Sequence, residues 1–240
     1  MDRIELIQKI FRKTDFENYL EIGCQTGKSF LPIRAKNKIA VDPVFKIPIG
    51  RKFKWLFKWP ANFKARYFTL ESDTFFATQK GYLEQVGKLD LVLVDGLHNF
   101  RGALHDVLNS LVYLNKDGII IMHDCFPPHE AASIYADIFP SEEQQRQAKG
   151  WTGEWCGDVW KSITYLLEKY PDHLDVGVID TDYGLGYVRF KTVPDSRKFD
   201  VDEKLFDKIN QLTYQEMKSD PKNIINLQPA SYCDAILSKY

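Results

Sequence analysis

The sequence predicts an α/β fold: a doubly wound, mostly parallel sheet of seven strands that ends in an antiparallel hairpin. Three observations carry this. Short apolar runs (Tyr19–Ile22, Lys38–Val41, Leu89–Val94, Ile119–Met122) alternate with segments of helical periodicity. That pattern belongs to strands covered on both faces by crossover helices. The runs tend to stop at a glycine or an aspartate, as strand ends do. The last two runs, Leu174–Ile179 and Gly186–Phe190, are separated only by Asp180-Thr-Asp-Tyr-Gly-Leu. A parallel crossover needs a dozen or more residues, so these two pair antiparallel.

In chain order, Ile4, Ile7, Ile10 and Phe11 recur at helical spacing and predict a helix over residues 3–13. The first strand, Tyr19–Ile22, is stopped by Gly23, and Gly27 is read as opening a short helix. Lys38–Val41 closes at Asp42-Pro43. Residues 66–70 form a third strand, followed by a helix over 73–86. Leu89–Val94 is the clearest strand and ends at Asp95-Gly96. A helix over 100–114 follows, then a turn at Asn115–Gly118 and the strand 119–122. A helix reaches about residue 170 before the hairpin. Residues 202–217 read as one further helix, with a short one near the end.

The 240 residues are 44% hydrophobic and 27% charged, ordinary values for a globular chain. They read as a single domain, 1–240, with insertions at 44–66 and 126–158 and an extension at 192–240. A formal net charge of −1 disfavours a DNA-binding role. No apolar run approaches the ~18–20 residues of a membrane span. The first residues lack a leader-type apolar stretch, and the four cysteines are scattered. Both points suggest the cytoplasm. The near-zero charge conceals an asymmetry. Residues 1–70 carry 15 Lys/Arg against 6 Asp/Glu, and nothing acidic lies between Asp42 and Glu71.

Ligands of such sheets bind at the carboxyl ends of the strands, where the strand order reverses. Those ends carry Glu21-Ile-Gly23-Cys-Gln25-Thr-Gly27, Asp42, Glu71-Ser72-Asp73, Asp95-Gly-Leu-His98 and His123-Asp124-Cys125. A dinucleotide fingerprint would need glycine at 23, 25 and 28, and Gln25 and Lys28 break it. Gly27-Lys28-Ser29 suggests the phosphate loop of an NTPase or kinase, but that motif needs glycine where Ile22 stands. Glu21-x-Gly23-x-x-x-Gly27 followed by Asp42 resembles motif I and the ribose-binding acid of class I S-adenosylmethionine-dependent methyltransferases. The stretch from Leu91 to Cys125, with Asp95-Gly-x-His98 and His123-Asp124, is similar to the small-molecule O-methyltransferase-like group, methyltransferase family 24 type.

The resemblance implies a Rossmann-like fold and S-adenosylmethionine as cofactor. It implies Glu21, Gly23, Gln25, Gly27, Asp42, Ser72, Asp73 and Asp95 around the cofactor, with Ser72 and Asp73 beside the adenine. O-methylation of a small hydroxylated acceptor is the activity it suggests, with a sugar or nucleotide-linked sugar as candidate. His98 is the first choice for general base, since imidazole titrates near neutral pH. His123 and Asp124 face the same rim. Asp95 and Asp124 could hold a divalent cation such as Mg, although Cys125 stands where the metal-dependent branch usually has an oxygen ligand. A phosphate-loop enzyme and a non-catalytic cofactor-binding relative are the alternatives, and the readings leave room for a homo-oligomer.

Two stretches stand outside this scheme. Residues 126–158 contain Trp151, Trp155 and Trp160, which either stack on an acceptor, with Glu154 and Asp158 as hydroxyl partners, or form a small aromatic core. Residues 44–68 interleave seven Lys/Arg with eight aromatics. They read as a solvated insertion or subunit contact, or as a surface for a phosphate-bearing acceptor, an anionic membrane or nucleic acid.

Overall fold

The structure, a computed structural model, describes residues 1–240. Its strands are β1 (Asn18–Ile22), β2 (Asn37–Val41), β3 (Arg66–Phe68), β4 (Leu89–Val94), β5 (Leu114–Met122), β6 (Leu174–Ile179), β7 (Leu185–Phe190) and β8 (Leu227–Gln228). They form one sheet in the order β3-β2-β1-β4-β5-β7-β6-β8. Strands β1 to β5 pair in parallel. β7 runs antiparallel between β5 and β6, as the short hairpin connection requires. The order reverses between β1 and β4, so the ligand crevice lies at their carboxyl ends.

Both faces of the sheet are covered. All six residues of β4 are buried, and they alternate between the two cores, Leu89, Val92 and Val94 on one and Leu91 and Leu93 on the other. Helix α1 (Arg3–Lys13) is capped by Asp2, whose carboxylate accepts from the Glu5 N–H, and buries Leu6, Ile7, Ile10 and Phe11. Helix α2 (Ile49–Lys58) belongs to the first insertion. Helices α3 (Ser72–Thr78) and α4 (Lys80–Val86) precede β4. Helix α5 (Phe100–Tyr113) starts at Asn99, whose side chain accepts from the Gly102 N–H. Helix α6 (Glu142–Gln147) lies in the second insertion, and α7 (Trp160–Lys169) leads into β6. The extension folds as α8 (Glu203–Asn210), α9 (Tyr214–Ser219), α10 (Pro221–Ile224), β8 and α11 (Tyr232–Leu237). It contributes Phe206, Ile209, Met217 and Ile225 to one core and Cys233, Ile236 and Leu237 to the other.

Five local expectations are corrected. The sheet has eight strands, because Leu227–Gln228 adds in parallel to the edge of β6, a pairing too short to leave a periodic trace. No helix follows Gly27. The carbonyls of Phe30 and Leu31, which a helix would use, accept instead from the buried Lys38 ammonium and, at Leu31, the Asn62 amide. The helix read over 73–86 breaks at Gln79. The one read over 202–217 breaks where Thr213 and Glu216 build a new capping box. Asn115–Gly118 belongs to β5 as an irregularity opposite Leu89 and Leu91, with the Asn115 amide donating to Asp90. All four cysteines are free and buried.

Candidate active site

The crevice between β1 and β4 is shaped by backbone. Gly23 has φ +87°, and a Cβ there would stand 1.9 Å from the Asp95 carbonyl oxygen. Gln25 (φ 36°) and Gly27 (φ +66°) continue the left-handed bend. Asp42, at the end of β2, accepts from the Gln25 N–H at 2.7 Å and the Val44 N–H at 2.8 Å, so it braces this loop. Glu21 lies beneath the loop, fully buried. It accepts from the Tyr19 hydroxyl at 2.5 Å and the Ser29 hydroxyl at 2.6 Å. Burial pushes its pKa up to about 7 against the pull of those two bonds. In this structure Glu21 supports the loop from inside.

Across the crevice, Ser72 at the start of α3 stands near Asp106 of α5. Asp106 is a residue that sequence reasoning passed over. It is buried beside Gly96, and its Oδ1 has no hydrogen-bond partner within the protein. Burial raises its pKa to about 7. Asp73 is turned outward, toward Asn109 at 3.1 Å and His105 at 3.3 Å.

The strand ends of β4 and β5 bring Asp95, His98, His123 and Asp124 together, in a cavity of about 290 Å³ that also has Arg3, Glu154, Trp155, Cys156 and Tyr183 in its wall. Asp124 adopts φ 61°, a left-handed conformation uncommon for a non-glycine residue, at the point where β5 ends. His98 Nδ1 lies 2.9 Å from the Trp155 carbonyl oxygen. A carbonyl only accepts, so Nδ1 carries a proton. That Nε2 stands 3.2 Å from Asp124 Oδ2. Trp155 stacks on the imidazole with centroids 4.9 Å apart. The loop that carries Trp155 comes this close because Gly157 (φ +63°) has no side chain. A Cβ there would meet the His98 carbonyl oxygen at 1.7 Å.

Two charged groups join from far away in sequence. Arg3 reaches in from the start of α1. Its Nη1 donates to Asp182 Oδ2 at 2.9 Å, and its Nε is 3.3 Å from Asp95. Asp182 stands in the β6–β7 turn with φ 49°. The signal for it was present, since β6 runs parallel to β5 and its end therefore faces the same sheet edge. Arg3 left no signal, being 179 residues from Asp182.

His123 is enclosed by carboxylates. Its Nδ1 is 2.9 Å from Asp124 and 3.2 Å from Asp95, and its Nε2 is 3.5 Å from Asp182. Burial works to lower its pKa, but the bonds to Asp124, Asp182 and Asp95 overcome this and push it up to about 11. Arg3 Nη1 lies only 2.9 Å from His123 Nε2. A guanidinium only donates, so Nε2 is the acceptor in this contact, and Asp182 faces both groups. Burial alone would raise the Asp95 pKa. His123, Arg3 and His98 instead hold it below the usual carboxylate range. Asp182 is held low by the same neighbours His123 and Arg3.

His123 makes stability depend on pH. Below its unfolded value of 6.5 the contribution is fully present. Between 6.5 and about 11 the unfolded chain releases the proton while the folded chain keeps it, so stability falls as pH rises. The melting temperature therefore declines with pH above 6.5, and the His123→Asn chain shows a flatter decline over that range.

The carboxylates of Asp95 and Asp124 with the His98 imidazole lie within 4.8 Å of one another, close enough to consider a metal. The donor set does not fit a divalent cation. Asp95 is shared between Arg3 and His123, and Asp124 between His98, His123 and the Cys156 thiol. A cation placed among them would face a guanidinium and an imidazolium. Cys125, the neighbouring position, turns its sulfur to its own backbone, 3.6 Å from the His123 carbonyl oxygen. Excess chelator is expected to leave the melting temperature unchanged, whereas a bound cation would stabilise the fold and its removal would lower it.

The tryptophans divide. Trp160 is buried in the main core. Trp155 donates its indole N–H to the Ile134 carbonyl at 2.8 Å and packs between His98 and Phe139, and Trp151 meets Phe139 edge-on. Asp158 accepts from the Phe100 N–H at 2.7 Å, inside the fold. Only Glu154 remains near the cavity mouth, accepting from the Tyr183 hydroxyl at 2.6 Å.

Residues 20–125 match the profile of a family described as a methyltransferase domain. Among solved structures, the chain is similar to the SAH-bound methyltransferase PaMTH1 of Podospora anserina, with 21% identity, a TM-score of 0.55 and 80% of each chain covered. It is also similar to cofactor-bound Rv0187 from MTB, with 12% identity, a TM-score of 0.52, and 80% of this chain and 82% of that one covered. No curated protein sequence matches it. At such identities the structures speak for the fold, and the profile speaks for the domain. Residues 20–125 are thus similar to a methyltransferase domain, and the chain shares the fold of these two solved structures.

Proposed function

We propose that this protein binds S-adenosylmethionine in the crevice between β1 and β4 and methylates a hydroxyl of a small acceptor, with His98 as general base. The observation that carries the reading is the His98 imidazole, fixed by the Trp155 carbonyl so that its Nε2 faces the Asp124 carboxylate at the rim of that crevice. The crevice suits the cofactor. Gly23 and Gly27 hold the positive φ that bends the loop over the crevice, and the unpartnered Asp106 Oδ1 is an acceptor suited to an exocyclic amine.

When bound, the cofactor supplies an electrophilic methyl group on a sulfonium. The protein must align the acceptor oxygen and relieve it of its proton. A proton passed from the acceptor hydroxyl to His98 Nε2 would place a positive charge beside the Asp124 carboxylate, in a cluster that also holds Asp95 and Asp182. The acceptor oxygen forms the new C–O bond, and the C–S electron pair stays on sulfur. Glu154 and Tyr183 at the mouth offer hydrogen bonds to a hydroxylated acceptor, which supports a sugar or nucleotide-linked sugar.

Calorimetry with S-adenosylhomocysteine tests the cofactor site, and labelled cofactor with candidate acceptors tests turnover. Lys28→Ala should leave the affinity for S-adenosylhomocysteine unchanged. A phosphate-loop enzyme would instead lose nucleotide binding on that change. No helix follows Gly27 to offer its N-terminus to a phosphate, which speaks against that alternative. No binding of S-adenosylhomocysteine at millimolar concentration would end the proposal. Binding without turnover on any acceptor would favour a non-catalytic role.

A further inference from the structure

Helix α2 has no buried residue, although it is tied firmly to the protein. Arg51 donates to the Thr26 carbonyl at 2.8 Å, the Lys46 N–H just before the helix donates to the Gln25 carbonyl, and Trp55 packs against the second core. The opposite side of the helix is uncovered. Ile49, Phe53 and Phe57 are 75%, 57% and 85% exposed. Spaced four residues apart, they form one stripe along the helix. Phe63, just beyond, is 73% exposed. Lys54 lies beside the stripe, Lys46 and Lys64 stand at its two ends, and none of the three makes an ion pair, while Lys58 turns its ammonium over the Trp55 ring, 5.3 Å from the centroid. Nothing acidic lies between Asp42 and Glu71 to neutralise them.

We infer that α2 is a docking helix for an anionic membrane surface, its phenylalanines entering the headgroup region while its lysines meet lipid phosphates. An apolar stripe flanked by uncompensated lysines is what lies in such an interface. Charge decides against the other occupants. A two-fold pairing of α2 with a second copy would set its lysines against the same lysines. Single-stranded nucleic acid would use the rings for stacking but leave Ile49, which opens the stripe, without a partner. The helix sits on the Gly23–Gly27 loop, so docking would hold the crevice about one helix diameter, ~10 Å, from the lipid surface. The inference does not depend on the proposed chemistry.

The test is co-sedimentation of the full chain with vesicles of phosphatidylcholine alone and of phosphatidylcholine mixed with phosphatidylglycerol. Binding is expected to the mixed vesicles, with a strong decline as salt rises. F53S/F57S should weaken it by at least about tenfold. K54E should weaken it by about fivefold or more. These side chains are exposed, so the melting temperature should hold, and an unchanged melt makes each loss a loss of docking. Equal binding to both vesicle types, or to neither, overturns the inference. So does a wild-type dimer that F53S/F57S converts to monomer, or nucleic-acid binding that outcompetes the mixed vesicles.

Discussion

A Gly23→Ala chain fails to form the crevice. The added methyl would stand 1.9 Å from the Asp95 carbonyl oxygen and 2.6 Å from the Gly96 Cα, both backbone atoms that no side-chain rotation can move aside. The residue would also have to hold φ +87°, which costs an L-residue ~1–2 kcal/mol by itself. Together these place the substitution among the severe ones, at least about 4 kcal/mol of stability. Chemical denaturation with the parent chain alongside measures it, and calorimetry should find no binding of S-adenosylhomocysteine to any folded fraction. The control is Gly153→Ala. That residue also has positive φ (+91°), but no atom lies within 4 Å of the added methyl, so only the backbone term should appear.

Changing His98 to glutamine lowers kcat by about 10²–10⁴-fold and leaves the affinity for S-adenosylhomocysteine where it was. Glutamine can still donate toward the Trp155 carbonyl but cannot take up a proton. Asp124→Asn should give part of the same loss, because the imidazolium formed on His98 would have an amide at 3.2 Å in place of a carboxylate. A His98→Gln chain with undiminished turnover would move the general base elsewhere. Loss of cofactor affinity with kcat intact would mean that the imidazole lines the cofactor site.

The sheet was legible because strands buried on both faces must be apolar throughout, and β1, β2, β4, β5, β6 and β7 all show this in their residues. β8 was not, since two residues hold no period. The bend at Gly23–Gly27 and the convergence of Asp95, His98, His123 and Asp124 were legible for a topological reason: parallel strands deliver their ends to one edge. The same rule extends to β6 and would have included Asp182. Asp106 was hidden because its role depends on what surrounds it. A carboxylate in mid-helix shows nothing in sequence of being buried with an unpaired oxygen. Arg3 was hidden more completely, since an arginine at the start of an amphipathic helix has solvent as its ordinary partner. The uses of Lys38 and Asn62, which pull carbonyls away from a helix after Gly27, are tertiary effects that override local propensity.

The ion pair between Arg3 and Asp182 has a consequence for how the protein is made. A ribosome releases the first of these residues long before the second, and domains tend to consolidate from the amino end during translation. Strands β1 to β5 can align while Arg3 still lacks the carboxylate that the hairpin brings. The nascent chain therefore completes this charged cluster only when the turn after β6 emerges, so a polypeptide arrested before that turn would leave Arg3 with Asp95 as its one carboxylate partner.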